Sequence, residues 1–268
     1  MKSLFNIKFV KNIDLKITFL GTGTSQGIPV INSSHPVCLS LDKRDKRLRA
    51  SILIEWGTHS YVIDCGPDFR YQMLRANVAQ INGILFTHEH ADHVAGLDDI
   101  RPFLFEMGAM PIYAHQRVLD NLTKRFAYVF EKNNRYPGAP RVIKNNVSES
   151  SFDLEGIFIT PIKVMHGNLP IFGYRFNDFA YLTDVKTIDK EEKEKLRGLK
   201  VLVINALRKE RHYSHLNLEE ALDIIDELKP ERVFITHISH KLGFHAEVEK
   251  TLPENVFLAY DGLVVNIN

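Results

Sequence analysis

Cysteine is scarce in this chain: only Cys38 and Cys65 occur among its 268 residues. So few thiols argue against a disulfide framework and favour a reducing compartment. No apolar stretch approaches the ~20 residues that a membrane-spanning helix needs, and no segment is of low complexity. The composition, with 44% hydrophobic and 25% charged residues, predicts a globular protein with a large core. We expect a cytoplasmic protein, a single domain over residues 1–268, and no membrane partner.

A surplus of charge of either sign is also missing. The formal net charge is +1 and the sequence pI is about 7.8, whereas a dedicated nucleic-acid binder usually carries a broad positive field. Nucleic acid is therefore not the expected partner, although a local basic patch would still permit it. Residues 1–11 interleave charged with apolar side chains and lack a small-residue cleavage site, which predicts that no signal peptide is present.

Histidine, in contrast, is concentrated at one point of the chain. Directly after the apolar residues 83–86 comes the run Thr87-His88-Glu89-His90-Ala91-Asp92-His93. His88 and His90 would point to the same side of a strand end, and Asp92 and His93 follow where a helix is predicted over residues 94–107. Imidazole and carboxylate ligands without a thiolate suit zinc, manganese or iron(II). The spacing indicates a candidate metal site, and one such loop could serve two close cations. The alternatives are a histidine-rich surface loop and a zinc-protease helix, whose His-Glu-x-x-His pattern the chain lacks.

Three further apolar runs end in residues that can bind metal. Residues 157–164 lead to His166, residues 179–183 lead to Asp184, and residues 233–236 lead to His237. Each run is short, rich in β-branched or aromatic residues and bounded by turn-forming residues, which predicts a buried strand. Taken singly, each histidine could be a hydrogen-bonded loop residue and the aspartate a turn residue. Together with the first cluster, strand ends gathered along one edge predict a shared metal-binding cleft.

The order of these residues, His-x-His-x-Asp-His followed by a lone His, a lone Asp and a final His, resembles the metallo-β-lactamase superfamily. The resemblance covers residues 16–267. It implies an α/β fold, an αβ/βα sandwich of two pseudo-repeated halves with the metal site at one edge of the sheets. It also implies two divalent metal ions, zinc or manganese, with iron compatible as well.

The resemblance implies a role for each of these residues. One ion would be held by His88, His90 and His166, the other by Asp92, His93 and His237, and Asp184 would bridge both. Asp64, in the run Ile63-Asp64-Cys65-Gly66, matches an Asp-x-Gly turn that supports the site from behind the ligands. Such a carboxylate fixes the orientation and tautomer of a ligand histidine.

Further segments are similar to one branch of the superfamily, the PhnP-type phosphodiesterases, which hydrolyse phosphoribosyl cyclic phosphate and related esters. These segments are residues 19–30, 205–208, 212–215 and 236–240. The chain departs from that branch in one loop, where Gly-Cys-x-Cys-x-x-Cys is replaced by Asn32-Ser33-Ser34-His35-Pro36-Val37-Cys38. Two of three thiols are absent, and we expect no tightly bound accessory zinc on His35, Cys38 and His240, because a structural site normally has four protein ligands.

The resemblance implies a hydrolase that takes a small or cyclic phosphodiester as substrate. A hydroxide held between two cations forms near neutral pH and can attack phosphorus in line, and Asp92 would orient it. His215 matches the catalytic histidine of the branch and, as an imidazolium, would protonate the departing alkoxide or hold a phosphoryl oxygen. Alternatively, His215 is a partly exposed residue at a helix start. Arg208 is either a phosphate ligand or a structural arginine.

Other activities of the same fold remain open, namely an RNA 3′-processing nuclease and a thioester hydrolase of the glyoxalase type. An aspartate at position 184, in place of a cysteine, disfavours a β-lactamase, and the complete ligand set disfavours a non-catalytic scaffold. An RNA-processing enzyme would usually carry a long Gly- and Lys-rich arm, to which residues 128–151 are a poor match. We predict that this polar segment is irregular, as a lid, a solvated connection or a subunit contact, and the sequence is compatible with a homodimer.

Hydrophobic periodicity predicts two similar halves. In the first half, strands are expected over residues 15–20, 50–55, 60–63, 84–86 and 111–114, with helices over 69–76, 94–107 and 118–126. In the second half, strands are expected over residues 157–164, 171–176, 179–183, 201–205, 233–236 and 263–267, with helices over 189–196 and 218–228.

Overall fold

Two seven-stranded sheets form the centre of the protein. The computed structural model describes residues 13–131 and 137–268, so the prediction about a signal peptide in residues 1–11 lies outside the described residues. The strands are β1 (Leu15–Gly21), β2 (Ser51–Trp56), β3 (His59–Ile63), β4 (Gly83–Leu85), β5 (Met110–Ala114), β6 (Val142–Asn146), β7 (Phe152–Leu154), β8 (Ile157–His166), β9 (Leu169–Phe176), β10 (Phe179–Leu182), β11 (Val201–Asn205), β12 (Arg232–Thr236), β13 (Val256–Leu258) and β14 (Val264–Ile267). The first sheet has the order β14-β1-β2-β3-β4-β5-β6 and the second the order β13-β12-β11-β10-β9-β8-β7.

Helices connect the strands of both sheets. They are α1 (Pro36–Leu39), α2 (Phe69–Ala76), α3 (Ala91–Val94), α4 (Arg101–Met107), α5 (Gln116–Arg125), α6 (Ala127–Phe130), α7 (Lys190–Glu194), α8 (Leu218–Leu228) and α9 (His245–Val248). Buried side chains of α2 and α5 pack on the first sheet, and those of α8 pack on the second. α8 starts at a capping box in which Asn217 and Glu220 satisfy each other's backbone N–H groups.

The alternation of side chains along the strands explains why both faces of each sheet are covered. In β1, Ile17 and Phe19 face the core between the sheets, where the Phe19 ring lies 5.7 Å from that of Phe234. Leu53 of β2 and Val62 of β3 point to the other face, beneath the helices. The layers therefore run helix, sheet, sheet, helix, and the predicted αβ/βα sandwich is confirmed.

Three sequence predictions about elements are wrong. The single helix over residues 94–107 is instead α3, a 3-10 turn at Leu97–Ile100 and α4. It breaks at Gly96, which donates its N–H to the carbonyl of Cys65 and lies so close to Gly66 that a Cβ there would come within 2.2 Å of the Gly66 oxygen. Residues 128–151 are not wholly irregular, because they include most of α6 and all of β6. β14 pairs with β1 in the first sheet, not with the second half.

Most strand predictions are confirmed to within a few residues, whereas β6, β7 and β13 were not predicted. Among the described residues, no helix combines the length and apolar character needed to cross a bilayer.

Candidate metal centre

The residues predicted as metal ligands lie where strands end at one edge of the two sheets. Three of the site residues, Asp64 after β3, Asp184 after β10 and His237 after β12, have positive φ angles of 65°, 59° and 54°. A left-handed backbone costs roughly 1 kcal/mol in a residue other than glycine. At each of these positions the chain turns away from the sheet while the side chain stays at its edge. The residues at these strand ends are far apart in the sequence, but they therefore lie around one cleft.

A close approach of two turns completes this edge. Gly66 follows the Asp64 turn, and a Cβ at this position would lie 2.1 Å from the backbone oxygen of Asp92. Only glycine permits that contact, because real Cβ atoms do not approach backbone oxygen so closely. The Asp64 turn thus packs directly against the segment that carries Asp92 and His93.

The structure brings all seven predicted ligands together. Groups whose ligand atoms lie within 4.8 Å of one another are His88 with His90 and His166, Asp92 with His93 and His237, and His88 with His93 and Asp184. The first two groups match the two sets expected from the sequence. The third joins Asp184 to one member of each set. A fourth group consists of His166, Asp184 and His215, so the geometry also makes His215 a candidate ligand.

Buried hydrogen bonds fix the tautomer of His93. Its Nδ1 atom lies 2.7 Å from Asp64 Oδ2, and a carboxylate can only accept, so Nδ1 carries the proton. Thr87 holds the same carboxylate, donating from its backbone N–H and from its hydroxyl, each at 2.8 Å. His93 Nε2 therefore faces Asp92 and Asp184, at 3.1 and 3.2 Å.

Two other histidines are oriented in the same way. The hydroxyl of Thr87 uses its hydrogen in the hydrogen bond to Asp64. Its oxygen, 2.9 Å from His88 Nδ1, therefore accepts a hydrogen bond from that nitrogen. His166 Nδ1 faces two carbonyl oxygens, those of Asp184 at 3.0 Å and Ser214 at 2.9 Å, and must donate to them. Both rings then direct the Nε2 lone pair into the cleft, which is the form that binds a cation.

Several of these buried ring nitrogens have no hydrogen-bond partner among the described residues. They include His88 Nε2, His93 Nε2 and both ring nitrogens of His237. A buried polar atom without a partner normally costs about 1–3 kcal/mol. A cluster of such atoms at one point fits a group of divalent cations, which would be bound by these lone pairs.

The ionisable groups of the cluster strongly shift one another's pKa values. Burial alone would raise the pKa of Asp92 and of Asp184, but the surrounding imidazoles outweigh it and lower both pKa values. For His93, burial lowers the pKa, yet the carboxylates of Asp92, Asp184 and Asp64 raise it well above its ordinary value. Burial lowers the pKa of His88. A cation that binds here replaces the proton on His93, so binding should release protons.

His215 lies against the cluster, in contact with two of its members. Its ring stacks on that of His237 with centroids 4.9 Å apart, and its Nδ1 lies 3.7 Å from Asp184 Oδ1. Burial, and then the neighbouring His237, lower the pKa of His215 to about 3. This low pKa favours the neutral ring, and the imidazolium expected from the resemblance stays a prediction.

Arg208 is not brought into the cluster. Its guanidinium donates to the backbone oxygens of Glu210 at 3.3 Å and Arg211 at 3.1 Å, and it lines a separate crevice with His35 and Lys241. A role in phosphate binding stays a prediction that this geometry does not favour.

The accessory loop keeps its fold through packing and capping. Cys38 is buried in a small apolar cluster with Ile28 and Val37, and the His35 ring accepts from the backbone N–H of Val37. The rings of His35 and His240 lie 4.8 Å apart. Within the described ranges, His35, Cys38 and His240 do not form a group with all ligand atoms inside 4.8 Å. The expectation about accessory zinc stays a prediction.

Sequence reasoning missed the residues that hold the ligands. Thr87 supports Asp64 and His88, Thr183 donates to Asp184 Oδ2 at 2.7 Å, and the Ser214 carbonyl accepts from His166. A signal was present for two of them, because a threonine directly precedes the ligand at both of these strand ends. The backbone role of Ser214 has no signal in residue type.

Comparison with known proteins agrees with this arrangement. A family model described as a beta-lactamase superfamily domain matches residues 59–238. The chain belongs to the metallo-β-lactamase superfamily. Together with the histidine and aspartate cluster, membership identifies a hydrolase of this fold that uses divalent metal ions.

Individual relatives refine the comparison. A crystal structure of a new diphosphatase from the PhnP family is 38% identical, with a TM-score of 0.89, and the match covers 95% of this chain and 97% of that one. An octanoyltransferase of Porphyromonas gingivalis is 42% identical over 93% of this chain and 51% of its own length. A ribonuclease Z of Bacillus licheniformis is 28% identical over 61% of this chain and 49% of its own length. The chain thus spans about half the length of these two curated relatives.

Proposed function

We propose that this member of the superfamily is a dinuclear metal-dependent phosphodiesterase that acts on small or cyclic phosphodiesters. The observation that carries the proposal is the position of Asp184. It shares ligand groups with His88 and His166 of the first set and with His93 of the second, and its Oδ1 lies 3.3 Å from His237, also of the second set. A carboxylate between two ligand sets suits two cations.

The donor set fits divalent cations, because it combines neutral imidazole lone pairs with ionised carboxylates and has no thiolate. We assign His88, His90 and His166 to one cation, Asp92, His93 and His237 to the other, and Asp184 to both. When bound, the cations would lower the pKa of water so that it can attack phosphorus near neutral pH, and they would take up negative charge on the phosphoryl oxygens.

The residues behind the ligands fix the orientation of the ligand side chains. Asp64 and Thr87 fix the rings of His93 and His88, as described above, so the Nε2 atoms of both ligands already face the cleft before a cation arrives. Such partners behind the ligands typically change metal affinity 10- to 100-fold. Asp92 is placed to hold its cation and orient the attacking water.

We assign His215 to the leaving-group side of the reaction. Its ring is fixed by stacking on His237, and it is close to Asp184 without being one of the seven ligands expected from the sequence. As a neutral ring it would hold the departing oxygen or a phosphoryl oxygen through a hydrogen bond, in place of an imidazolium that gives up a full proton.

The substrate class rests on the relatives. The PhnP-family diphosphatase matches nearly the whole chain, which supports attack at phosphorus. The match to ribonuclease Z favours RNA 3′-end cleavage as a second candidate. Against this candidate, the described part of residues 128–151 contains α6 and β6 and no long arm, and the net charge is close to zero.

Octanoyl transfer is not proposed for this chain. The octanoyltransferase is about twice as long as the stretch that it shares with this chain, and the site described here is of the kind that activates water. Both thiols, Cys38 and Cys65, are buried and so are poorly placed to carry an acyl group.

A substrate screen of the metal-loaded protein tests the proposal. It would include bis-p-nitrophenyl phosphate, 2′,3′-cyclic nucleotides, precursor tRNA, S-lactoylglutathione and nitrocefin. We expect turnover of the first two, lost on chelation and restored by zinc or manganese. Hydrolysis of precursor tRNA without the small diesters would favour the nuclease, and hydrolysis of the thioester alone would overturn phosphodiester chemistry.

A further inference from the structure

An open cleft of about 520 Å³ lies beside the ligand cluster. It is lined by His90, His166, Gly167, Asn168, Leu169, Tyr213 and Ser214. Small-molecule sites usually have volumes of roughly 300–1,000 Å³. Because His90 and His166 belong to the first ligand set, a substrate whose phosphate reaches the metal centre from this side would leave its remaining part in the cleft.

The cleft contains an aromatic side chain that is not part of the hydrophobic core. Tyr213 is 83% exposed, and its ring lies 4.8 Å from that of His212 at an angle of 35°. Single exposed aromatic residues are common on protein surfaces. This one differs because it shares its cleft with two candidate metal ligands.

The position of Tyr213 relative to the metal centre is fixed on both sides of the residue. The next residue, Ser214, accepts a hydrogen bond from His166 through its carbonyl at 2.9 Å. The preceding residue, His212, accepts the backbone N–H of Ser214 at 3.3 Å. The ring is therefore presented on a segment that is tied directly to a ligand histidine.

The β8–β9 turn forms the facing part of the cleft. Gly167 has a φ of 58°, and a Cβ there would lie 3.3 Å from Ser214 Cβ and 3.8 Å from Tyr213 Cδ2. Glycine thus allows the turn to pack closely against residues 213 and 214. The exposed amide of Asn168, in the same turn, offers hydrogen-bond donors and an acceptor.

We propose that Tyr213 determines specificity by stacking on a nucleobase, so that the substrates are phosphodiesters of nucleosides. This inference rests on the proposed function, because the phosphate must lie at the metal centre. An aromatic platform accounts for the exposed ring, and the Asn168 amide suits the polar edge of a base. Stacking of one base on an aromatic side chain changes affinity roughly 5- to 150-fold.

Binding of two product-like ligands tests the inference without turnover. Calorimetry on the metal-loaded protein would measure the affinities of adenosine 5′-monophosphate and ribose 5-phosphate, which share a sugar phosphate and differ in the base. We expect the nucleotide to bind at least about fivefold more tightly. Tyr213→Leu should abolish most of that preference, whereas Tyr213→Phe, which keeps the ring, should retain it.

Phe158→Leu is the matched control, because Phe158 is also an exposed aromatic residue, at 54%, and lies near the opposite end of β8 from His166. It should leave the preference unchanged. Equal affinities for the two ligands in the wild type, or an equal loss of both in Tyr213→Leu, would overturn the inference. A loss in Tyr213→Phe as large as in Tyr213→Leu would also overturn it, because the hydroxyl would then be responsible.

The two proposals can fail separately. The protein could prefer ligands with a base through Tyr213 and yet hydrolyse no phosphodiester. This result would reject the proposed function but support stacking of a base on Tyr213. Hydrolysis of bis-p-nitrophenyl phosphate with no base preference would reject the platform and leave the phosphodiesterase.

Discussion

Asp64 Oδ2 lies 2.7 Å from His93 Nδ1, and both side chains are fully buried. The carboxylate keeps a proton on His93 Nδ1 and orients the ring, so that Nε2 is the nitrogen that faces Asp92 and Asp184. Asp64 itself is held by two hydrogen bonds from Thr87. Asp64 and Thr87, which lie behind the ligands, thus determine the orientation of the His93 ring.

Replacing Asp64 with asparagine tests this relationship. Asparagine keeps the size and tolerates the left-handed backbone at φ 65°, but an amide can present a donor to Nδ1 and so permit the wrong tautomer. We expect the affinity of the more weakly bound metal to fall about 10- to 100-fold in a chelator competition. Asp178→Asn, at a surface carboxylate that pairs with Lys200, is the control. Equal metal affinity in Asp64→Asn and wild type would contradict this role.

Metal stoichiometry tests the two ligand sets. Elemental analysis of loaded wild-type protein should give about two metal ions per chain, because the ligands divide into two groups that share Asp184. His237→Ala should retain about one, since it removes a ligand from one group only. A wild-type value that never exceeds about one ion per chain would reject the dinuclear site.

Asp92 and His215 should respond differently to substitution. Asp92→Asn should lower both metal content and turnover, because the carboxylate belongs to a ligand group. His215→Ala should keep the metal and slow substrates with poor leaving groups more than p-nitrophenyl esters, by roughly 10²–10³-fold, as for the loss of one hydrogen bond to a developing negative charge. Steady-state rates on both substrate types and metal content measure this. Equal rate losses would remove His215 from the leaving group, and lost metal would make it a ligand, as its group with His166 and Asp184 allows.

The accessory loop should be independent of metal. Chelation should abolish activity but shift the thermal midpoint only modestly, because packing around Cys38 and the cap from His35 hold the loop. Cys38→Ser should retain the full metal content. Loss of one metal equivalent in this variant, with the catalytic pair intact, would show that Cys38 is a ligand.

His245 should make stability depend on pH. Burial and the guanidinium of Arg47, which donates to its Nδ1 at 3.1 Å, lower the pKa of His245 to about 4. Arg44, Asp42, Asp45 and Glu249 also face this histidine. In the unfolded chain its pKa is about 6.5, so the unfolded state binds the proton more readily, and stability is lost as the pH falls from about 6.5 to 4.

The loss should be on the order of 1–2 kcal/mol, allowing for partial screening by solvent. Urea unfolding at pH 7.5, 6 and 5 would measure it, with His245→Asn as the non-titrating control. If the variant and the wild type lose equal stability between pH 7.5 and 5, His245 is not the group responsible.

The sequence was sufficient for the parts of the site that depend on local pattern. Four of the five residues of the buried strand β11 and the three central residues of β12 are apolar, and the ends of these strands could be located from composition alone. The run at residues 88–93 holds four ligands within six positions. These four candidate ligands could therefore be located from local pattern, whereas the division of the seven ligands into two sets came from the resemblance to the superfamily.

The remaining features of the fold and the site depend on tertiary contacts. β6 is an edge strand with exposed Ile143 and Lys144, so it shows no hydrophobic alternation. The break at Gly96 depends on a contact with Gly66, which is thirty positions earlier. The neutral state of His215 follows from burial against His237, and a sequence does not show burial.

The pairing of β1 with β14 has a consequence for how this fold can be combined with others. Leu15 lies opposite Ile267, so both ends of the sandwich leave from one corner. β1 runs from that corner toward the metal edge, where Gly23 bridges to Ile238 beside His237, a distance of about 20 Å for seven residues. A second domain joined directly at Leu15 or Ile267 would attach at this corner, away from the metal edge. A short linker across this corner, with new ends cut in an exposed loop, should give a circular permutant that retains the metal centre.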